Sequence, residues 1–295
     1  MPDLIARVCR HADAHHAPEV PFETGIEGFT LVRCRAPTAM EAMVYSPLLC
    51  VVLQGRKESC LGEARVSFGR GESLIVSLGV PSVSRVTEAS REAPYVALAL
   101  LLDMGLVRNL YDEAGEAEIA DEQARAIASG AADAPLVDAM GRLFDLLGRP
   151  LEQRVLLPLL RREIHFRALL ARHGGMLRRL ARRDSHASRI ARALSHIRRD
   201  FAAPLKVAQL AAAAGMSPSS FHAHFKALTA TTPLQYQKDL RLLEARRRLI
   251  GSGQPVSAVA FEVGYESATQ FSREYARKFG APPRADRAQP GRPSV

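Results

Sequence analysis

The chain has 295 residues, of which 47% are hydrophobic and 24% are charged, a balance typical of a globular protein. No apolar run approaches the ~20 residues that a membrane-spanning helix needs. The N-terminal residues lack the long apolar core and cleavage site of a secretory signal, so we expect a cytoplasmic protein without a membrane partner. Four cysteines, none in a CxxC pair, indicate no disulfide framework.

Charge is divided unevenly between the two halves of the chain. Residues 1–141 hold 12 Lys and Arg against 20 Asp and Glu, a net charge of −8, whereas residues 142–295 carry a net charge of +17. A basic half joined to an acidic one favours a polyanion as the partner of the basic half alone. A solvated basic surface without a partner is the alternative that charge leaves open.

The first hundred residues change from a helical to a β-rich pattern. Apolar residues at Leu4, Ile5 and Val8 predict a short helix over residues 3–16. From about residue 22 to 102, short β-rich runs are separated by turn residues, which predicts a sandwich or barrel. The predicted strands are Phe29–Arg33, Leu48–Gln54, Ala64–Phe68, Ser73–Ser77 and Tyr95–Leu102.

From residue 104 onward the pattern is helical. Apolar residues recur with helical spacing from Val137 to Leu147 and from Val155 to Leu169. The polar and basic stretch over 180–188 is predicted to be a linker, and helices follow it. The tail beyond Arg287 is rich in Pro and Arg and is predicted to be disordered.

An internal repeat of about fifty residues lies in the last third of the chain. Its copies are residues 207–233 and 256–283. Ala211 and Gly215 in the first copy match Ala260 and Gly264 in the second. The aromatic pairs also match, Phe221 and Phe225 with Phe271 and Tyr275. A long helix over 234–250 is predicted to hold the two copies apart at a fixed separation.

Each copy has the residue types that a helix-turn-helix unit requires. Small alanines suit the point where two helices cross, and Gly215 and Gly264 suit a turn residue with positive φ. Ser217 and Ser267 stand where the second helix needs an N-cap. The outward faces carry side chains that reach base edges and phosphates, so we predict a DNA interface, with a plain helical bundle as the alternative. The predicted DNA-binding residues are Ser219, His222, Lys226, Ser267, Thr269, Ser272, Arg273 and Arg277.

Residues 190–287 closely resemble the DNA-binding domain of the AraC/XylS family of transcription regulators. The most specific segments are LAAAAGMSPSSFHAHFK from Leu210, TTPxxY from Thr231, RLxxARRxL from Arg241 and AxxxGYESxxxFSR from Ala260. Three positions depart from the family pattern. Ala230 replaces a usual glycine, which predicts a different turn after the first recognition helix. Ala223 replaces a usual arginine, which predicts a missing DNA contact. Asp286 replaces a usual aromatic residue, which predicts poorer packing near the C-terminus.

The N-terminal half resembles the cupin-like sensor domain of one branch of the same family. The resemblance is carried by YSP at 45–47, VVLQGRK at 51–57, GESLIVSLGVP at 71–81 and ASREAPYVAL at 89–98. It implies a β-barrel that senses a small molecule and a helical segment that forms a homodimer. RNA polymerase is a further candidate partner of such a regulator, beside double-stranded DNA.

Other chemistries have weaker support. His222 and His224 are two apart on a helix and point to different sides, so they do not form a metal chelate. Cys9, His11, His15 and His16 fall on a predicted surface helix, and residues 17–164 contain no histidine, so we expect neither a metal nor a cofactor. Buried structural thiols are the default for the remaining cysteines, with redox or electrophile sensing as the alternative.

Together these observations predict an α+β protein, with a cupin-like β-barrel, a helical connector and an all-α domain with two helix-turn-helix units. The predicted boundaries are 1–103 for the sensor, 104–183 for the connector and dimerisation segment, and 187–287 for the DNA-binding domain. The predicted function is sequence-specific regulation of transcription under small-molecule control, without enzymatic activity. An enzyme tethered to DNA and an architectural DNA-binding protein are the alternatives.

Overall fold

The computed structural model describes residues 2–62, 64–115, 125–252 and 254–287. Within these residues, ten strands and the helices that flank them form an N-terminal β domain, and the helices that follow form a C-terminal region. The mixed architecture agrees with the predicted fold class. The tail beyond Arg287, predicted to be disordered, lies outside the described residues.

The β domain consists of two antiparallel sheets. The six-stranded sheet has the order β1-β2-β9-β4-β7-β10 and the four-stranded sheet has the order β3-β8-β5-β6. Inward-facing side chains of both sheets form one apolar core, in which Phe68 and Tyr95 are fully buried. The strands are β1 (Phe22–Glu23), β2 (Phe29–Cys34), β3 (Glu41–Val44), β4 (Leu48–Gln54), β5 (Arg56–Leu61), β6 (Ala64–Gly69), β7 (Glu72–Val76), β8 (Pro81–Glu88), β9 (Tyr95–Leu101) and β10 (Ile127–Ala131).

The five predicted strands are present, but the apolar pattern does not predict the other five. β5 has the sequence RKESCL, which contains too few apolar residues to indicate a strand. In the fold, Glu58 is buried on its outer side, where Arg65 and Arg85 pair with it. β8 alternates small buried residues, Ser82 and Ser84, with half-buried ones, and serine carries little hydrophobic signal.

Two predicted boundaries need correction. β10 follows the first helix of the connector, yet it pairs with β7 along its whole length, so the sheet extends past residue 103. The predicted linker over 180–188 is also too long. Leu180 and Ala181 end a helix and are buried, and the next helix begins at His186, which leaves only four residues between the two. Basic residues on a short amphipathic helix resemble a polar linker in sequence.

Helices cover the outer face of the six-stranded sheet. This second core contains Leu4 and Val8 from the N-terminal helix and Leu143 and Ile164 from the connector. Asp103 and Asp133 cap two of the helices: the Asp103 carboxylate accepts two backbone N–H groups of the first turn and the Asp133 carboxylate accepts one. These helices are α1 (Pro2–Ala14), α2 (Met104–Ala114), α3 (Ala134–Asp145), α4 (Pro150–Leu170), a 3-10 turn (Arg172–Gly174) and α5 (Gly175–Ala181).

The C-terminal region is helical in the part that the structure describes. Its helices are α6 (His186–Arg199), α7 (Val207–Ala213), α8 (Pro218–Thr229), α9 (Pro233–Ser252), α10 (Val256–Glu262), α11 (Ala268–Phe279) and α12 (Pro283–Arg287). We call α7 and α8 the first unit and α10 and α11 the second unit. The core of the first unit is continuous with the interior of the β domain, whereas the second unit has a separate core with the C-terminal half of α9.

Candidate nucleic-acid interface

The first unit has the helix-turn-helix geometry that the sequence predicts. Ala211 is fully buried where α7 meets α8, and Gly215 between them adopts a φ of +62°. The Ser217 hydroxyl accepts a hydrogen bond from the Ser220 backbone N–H at 3.2 Å, so it caps α8. Phe221 and Phe225 are buried on the inner side of α8, which turns the opposite side of that helix towards solvent.

The second unit repeats this geometry. Ala260 is fully buried, and Gly264 has a φ of +91°. A Cβ at Gly264 would lie 2.2 Å from the carbonyl oxygen of Ala202, so close approach as well as conformation requires glycine there. The Ser267 hydroxyl caps α11 by accepting from the Gln270 N–H at 3.3 Å.

Most of the predicted DNA-binding residues lie on two exposed faces. Ser219, His222 and Lys226 are exposed along α8, and Thr269, Arg273 and Arg277 are exposed along α11. Among the residues that the structure describes, no carboxylate pairs with Lys226, Arg273 or Arg277. Both faces therefore present free cations and polar groups, the side chains that bind phosphates and base edges.

Two of the predicted contact residues are engaged within their own helix. The Ser272 hydroxyl is half-buried and donates to the Ala268 carbonyl at 2.9 Å, one turn earlier in α11. The Ser267 hydroxyl serves as the N-cap described above. Both serines face the predicted surface by sequence spacing, but local hydrogen bonds satisfy their hydroxyls.

Arg241 on α9 joins the two units, a role that sequence reasoning did not assign. Its guanidinium donates to the carbonyls of Phe201, Ala202 and Ala203 after α6, and at 2.8 Å to the carbonyl of Gly264. One side chain thus fixes the loop before the first unit and the turn of the second. Its place at the start of the RLxxARRxL segment was the signal available in the sequence.

Ion pairs attach α11, the second helix of the second unit, to α9. Lys238 pairs with Glu274 at 3.1 Å, and Lys278 pairs with Asp239 at 2.5 Å. The Tyr265 hydroxyl also donates to Glu274 at 2.9 Å. Burial would raise the pKa of the Glu274 carboxyl, but the hydrogen bonds from Tyr265 and Lys238 outweigh it and lower that pKa. The carboxylate is thereby kept charged in the fold.

Asp286 does not weaken the packing near the C-terminus, contrary to the expectation from its departure from the family pattern. It is buried, accepts a hydrogen bond from the Tyr275 hydroxyl at 2.6 Å and pairs with Arg246 at 3.1 Å. Hydrogen bonds thus hold α12 against α9 and α11. The different turn expected at Ala230 is also not found, because Ala230 ends α8 in the left-handed conformation with a φ of +56°, as Gly280 ends α11 with a φ of +73°.

The first unit packs directly on the β domain. The Tyr236 hydroxyl on α9 is buried and donates a hydrogen bond of 2.5 Å to the carbonyl of Gly79, in the loop between β7 and β8. A cavity of about 110 Å³ separates the end of α8, at Ala227 and Leu228, from Ser59 and Leu61 of β5 and from residues 125–127. The domains therefore share an apolar core rather than a flexible joint.

Two buried thiols and a pair of stacked histidines are features of the described residues outside the DNA interface. Burial raises the pKa of the Cys34 and Cys50 thiols to about 11, so both are protonated at neutral pH. His224 stacks on His186 with ring centroids 4.3 Å apart. Within the described parts of the chain, no cluster of three or more His, Cys, Asp or Glu side chains could hold a metal ion, and no helix has the length and apolar character to cross a membrane.

Comparisons with known proteins agree with this geometry. The family model of the AraC-type transcriptional regulator N-terminus matches residues 25–176, and that of a helix-turn-helix domain matches residues 210–289. A putative AraC-like transcription regulator of Streptomyces antibioticus is 37% identical over 101 residues, which cover 34% of this chain and 33% of that protein. The transcriptional activator RhaS of Pectobacterium carotovorum is 36% identical over 70 residues, 24% of this chain and 25% of the relative. The matched segments thus span a third or less of these relatives.

A solved structure shows the same fold over most of the chain. Wild-type ToxT from Vibrio cholerae strain SCE256, with an unsaturated fatty acid bound, has a TM-score of 0.55 and 8% sequence identity. The superposition covers 86% of this chain and 92% of that one. At this identity the likeness concerns the fold, a β domain followed by a helical region.

Proposed function

The chain belongs to the AraC-type transcriptional regulators, and we propose that a small molecule bound in its β domain controls how it binds DNA. It is a DNA-binding regulator with a helix-turn-helix domain and not an enzyme. The packing of the first unit on the β domain supports control by a ligand. Because Tyr236 hydrogen-bonds Gly79 and the two regions share a core, a change inside the β domain alters the surface on which the first unit rests.

The DNA contacts follow from the two exposed faces. α8 and α11 each present free cations, and the Arg241 hydrogen bonds and the α9–α11 ion pairs fix their relative positions. We assign base or phosphate contacts to exposed residues of both helices and expect the helices to enter successive major grooves, about 34 Å apart. Ser267 and Ser272 support α11 rather than contact DNA. The proposed contact residues are Ser219, His222, Lys226, Thr269, Arg273 and Arg277.

The proposed dimer uses the connector. α4 exposes Leu151, Val155 and Leu159, which are 76%, 63% and 61% exposed and stand four residues apart on one side of the helix. Such a stripe suits pairing with the same stripe of a second copy. Val155→Glu should convert a dimer into a monomer in sedimentation experiments. RNA polymerase stays a candidate partner of the DNA-bound form.

DNA recognition is tested by titrating the purified chain with DNA from upstream of its own gene and with random DNA of equal length. A sequence-specific regulator prefers one upstream fragment and loses affinity steeply as salt rises, because phosphate contacts release counterions. Equal affinity for both DNAs would instead support an architectural role. Each titration is run at two salt concentrations, because the phosphate contribution to affinity falls with salt and can thus be separated from base readout.

Control by a ligand is tested on the same operator. A small molecule that raises the melting temperature of the full chain should also change its operator affinity, since it must favour one arrangement of the first unit over another. A molecule that binds the β domain and leaves operator affinity unchanged contradicts the proposal. Tyr236→Phe, which removes the hydrogen bond to Gly79, should reduce the size of the effect.

A further inference from the structure

The inner side of β5 is polar. Because side chains alternate along a strand, Lys57, Ser59 and Leu61 share one side, opposite to Glu58. Ser59 is buried and its hydroxyl lies 3.2 Å from the hydroxyl of Tyr45, which is also buried. The interior of the β domain therefore contains hydrogen-bonding groups as well as the apolar side chains of its core.

Lys57 reaches from one sheet towards the other. Its charge interacts with Tyr45, and with the thiols of Cys50 on β4 and Cys34 on β2, both in the six-stranded sheet. Lys57 also lies directly opposite Val86 of β8, a residue of the core between the sheets, so its side chain points to the inner side of the sheet. Although its neighbours Tyr45, Cys50 and Cys34 are buried, Lys57 is only half-buried and keeps surface that a small molecule can contact.

The ammonium has no anionic partner among the residues that the structure describes. Glu58, its neighbour on the strand, points to the other side and pairs with Arg65 and Arg85. The two thiols near it are protonated, since burial raises their pKa to about 11. Burial lowers the pKa of Lys57, whereas its interactions with Tyr45, which include a side-chain hydrogen bond, raise it, and the net shift is upward. An uncompensated charge in a protein interior is unfavourable.

We propose that the β domain binds a small organic carboxylate whose charged group pairs with Lys57 and accepts a hydrogen bond from the Tyr45 hydroxyl. The apolar part of the molecule would lie against neighbouring core side chains such as Val52, Leu61 and Val86. One cation in apolar surroundings suits a monocarboxylate better than a phosphate, which requires several donors to balance its charge. This inference rests on the proposed ligand control and names the chemical class of the ligand.

The test compares charged probes with neutral isosteres on the full chain. The melting temperature is measured with benzoate and octanoate, and with benzyl alcohol and 1-octanol. The variants are Lys57→Met, Lys57→Gln and, as a matched control, Arg65→Met, which removes an exposed positive charge from the outer side of the same domain. Wild type should melt about 5 °C higher at a hundredfold excess over Kd of at least one carboxylate, and less with its alcohol.

Both Lys57 variants should lose that shift, whereas Arg65→Met should keep it. Without any probe, Lys57→Met should melt higher than wild type, by about 2–4 °C, because the unpaired charge is gone. Equal carboxylate shifts in wild type and Lys57→Met, or a preference for the alcohols, would overturn the inference and leave ligand control intact. If no probe changes the melting temperature of wild type, the carboxylate assignment is wrong. Ligand control itself is refuted separately, if no small molecule changes the affinity for the operator.

Discussion

The hydroxyl of Tyr236, on the helix that joins the two helix-turn-helix units, donates to the backbone carbonyl of Gly79 in the β domain at 2.5 Å. Tyr236 is fully buried, and burial raises the pKa of its hydroxyl, which stays a donor at any physiological pH. A DNA-binding element is thus hydrogen-bonded to a loop between two strands of the β domain. This contact connects the DNA-binding region with the domain for which we propose ligand binding.

Tyr236→Phe should lower the free energy of unfolding by about 1–3 kcal/mol, because a buried carbonyl loses its donor. The measurement is a urea titration of the full chain. Tyr111→Phe is the matched control, since the Tyr111 hydroxyl accepts a bond from Arg182 on the surface, and its loss should cost less than about 0.5 kcal/mol. Equal costs for the two variants would mean that the interdomain bond adds nothing to stability.

A second prediction concerns the residues that end the two recognition helices. Ala230 and Gly280 both adopt the left-handed conformation, with φ of +56° and +73°. Ala230→Gly should therefore stabilise the chain by about 0.5–1 kcal/mol, because the backbone strain of alanine exceeds the extra entropy of glycine in the unfolded chain.

Gly280→Ala is the reciprocal variant. A Cβ at Gly280 would meet no atom within 4 Å, so its cost of about 1 kcal/mol comes from the backbone alone. Thermal unfolding of the two single variants measures both effects. Changes of the same sign in the two proteins would show that side-chain packing, rather than backbone conformation, controls these turns.

The helix-turn-helix units could be predicted because local rules define them. A turn glycine, a serine cap and aromatic residues four apart determine each unit within about twenty residues. Arg241 and Tyr236 could not be assigned, because their partners lie 23 to 157 positions away in the chain and are backbone carbonyls, which have no sequence signature. β5 was not predicted because Glu58 and Ser59 are buried polar residues. β10 was not predicted either, because it pairs with a strand about fifty residues earlier in the chain.

Acid should destabilise the protein through His165. Its Nε2 accepts from the Asp103 N–H at 2.8 Å, and its Nδ1 bonds the Arg161 carbonyl at 2.6 Å, which fixes the neutral ring. Burial lowers the pKa of His165 below its ordinary value of 6.5. The unfolded chain then binds more protons, so this contribution to stability is complete above pH 6.5 and is lost as the pH falls towards the lower pKa of the fold.

The measurement is the difference in unfolding free energy between wild type and His165→Gln at about pH 8 and about pH 5. Because burial also lowers the pKa of His11 and His224, only this difference isolates His165. It should shrink at the lower pH. A difference that stays constant would assign the acid sensitivity to other groups.

Arg241→Met should affect DNA recognition without changing any residue that faces DNA. Hydrogen bonds from a charged donor contribute about 1.5–3 kcal/mol each, so losing the four should destabilise the chain by about 3 kcal/mol after relaxation. Specific DNA affinity should fall more than affinity for random DNA, since the spacing of the two helices is no longer fixed. Arg247→Met, on the same helix, is the control: Arg247 is exposed and pairs with half-buried Glu244, so its loss should change neither quantity appreciably.

Arg273 should distinguish base readout from phosphate binding. It is exposed on α11 and no described carboxylate pairs with it, whereas the matching position on α8 is Ala223. Arg273→Ala should cost about 1–3 kcal/mol on the operator and much less on random DNA, because a bidentate contact to a base carries sequence information. An equal loss on both DNAs, with a smaller salt dependence, would make Arg273 a phosphate contact instead. Ala223→Arg adds the same group to the first unit, and its effect on operator affinity shows whether that position faces a base pair.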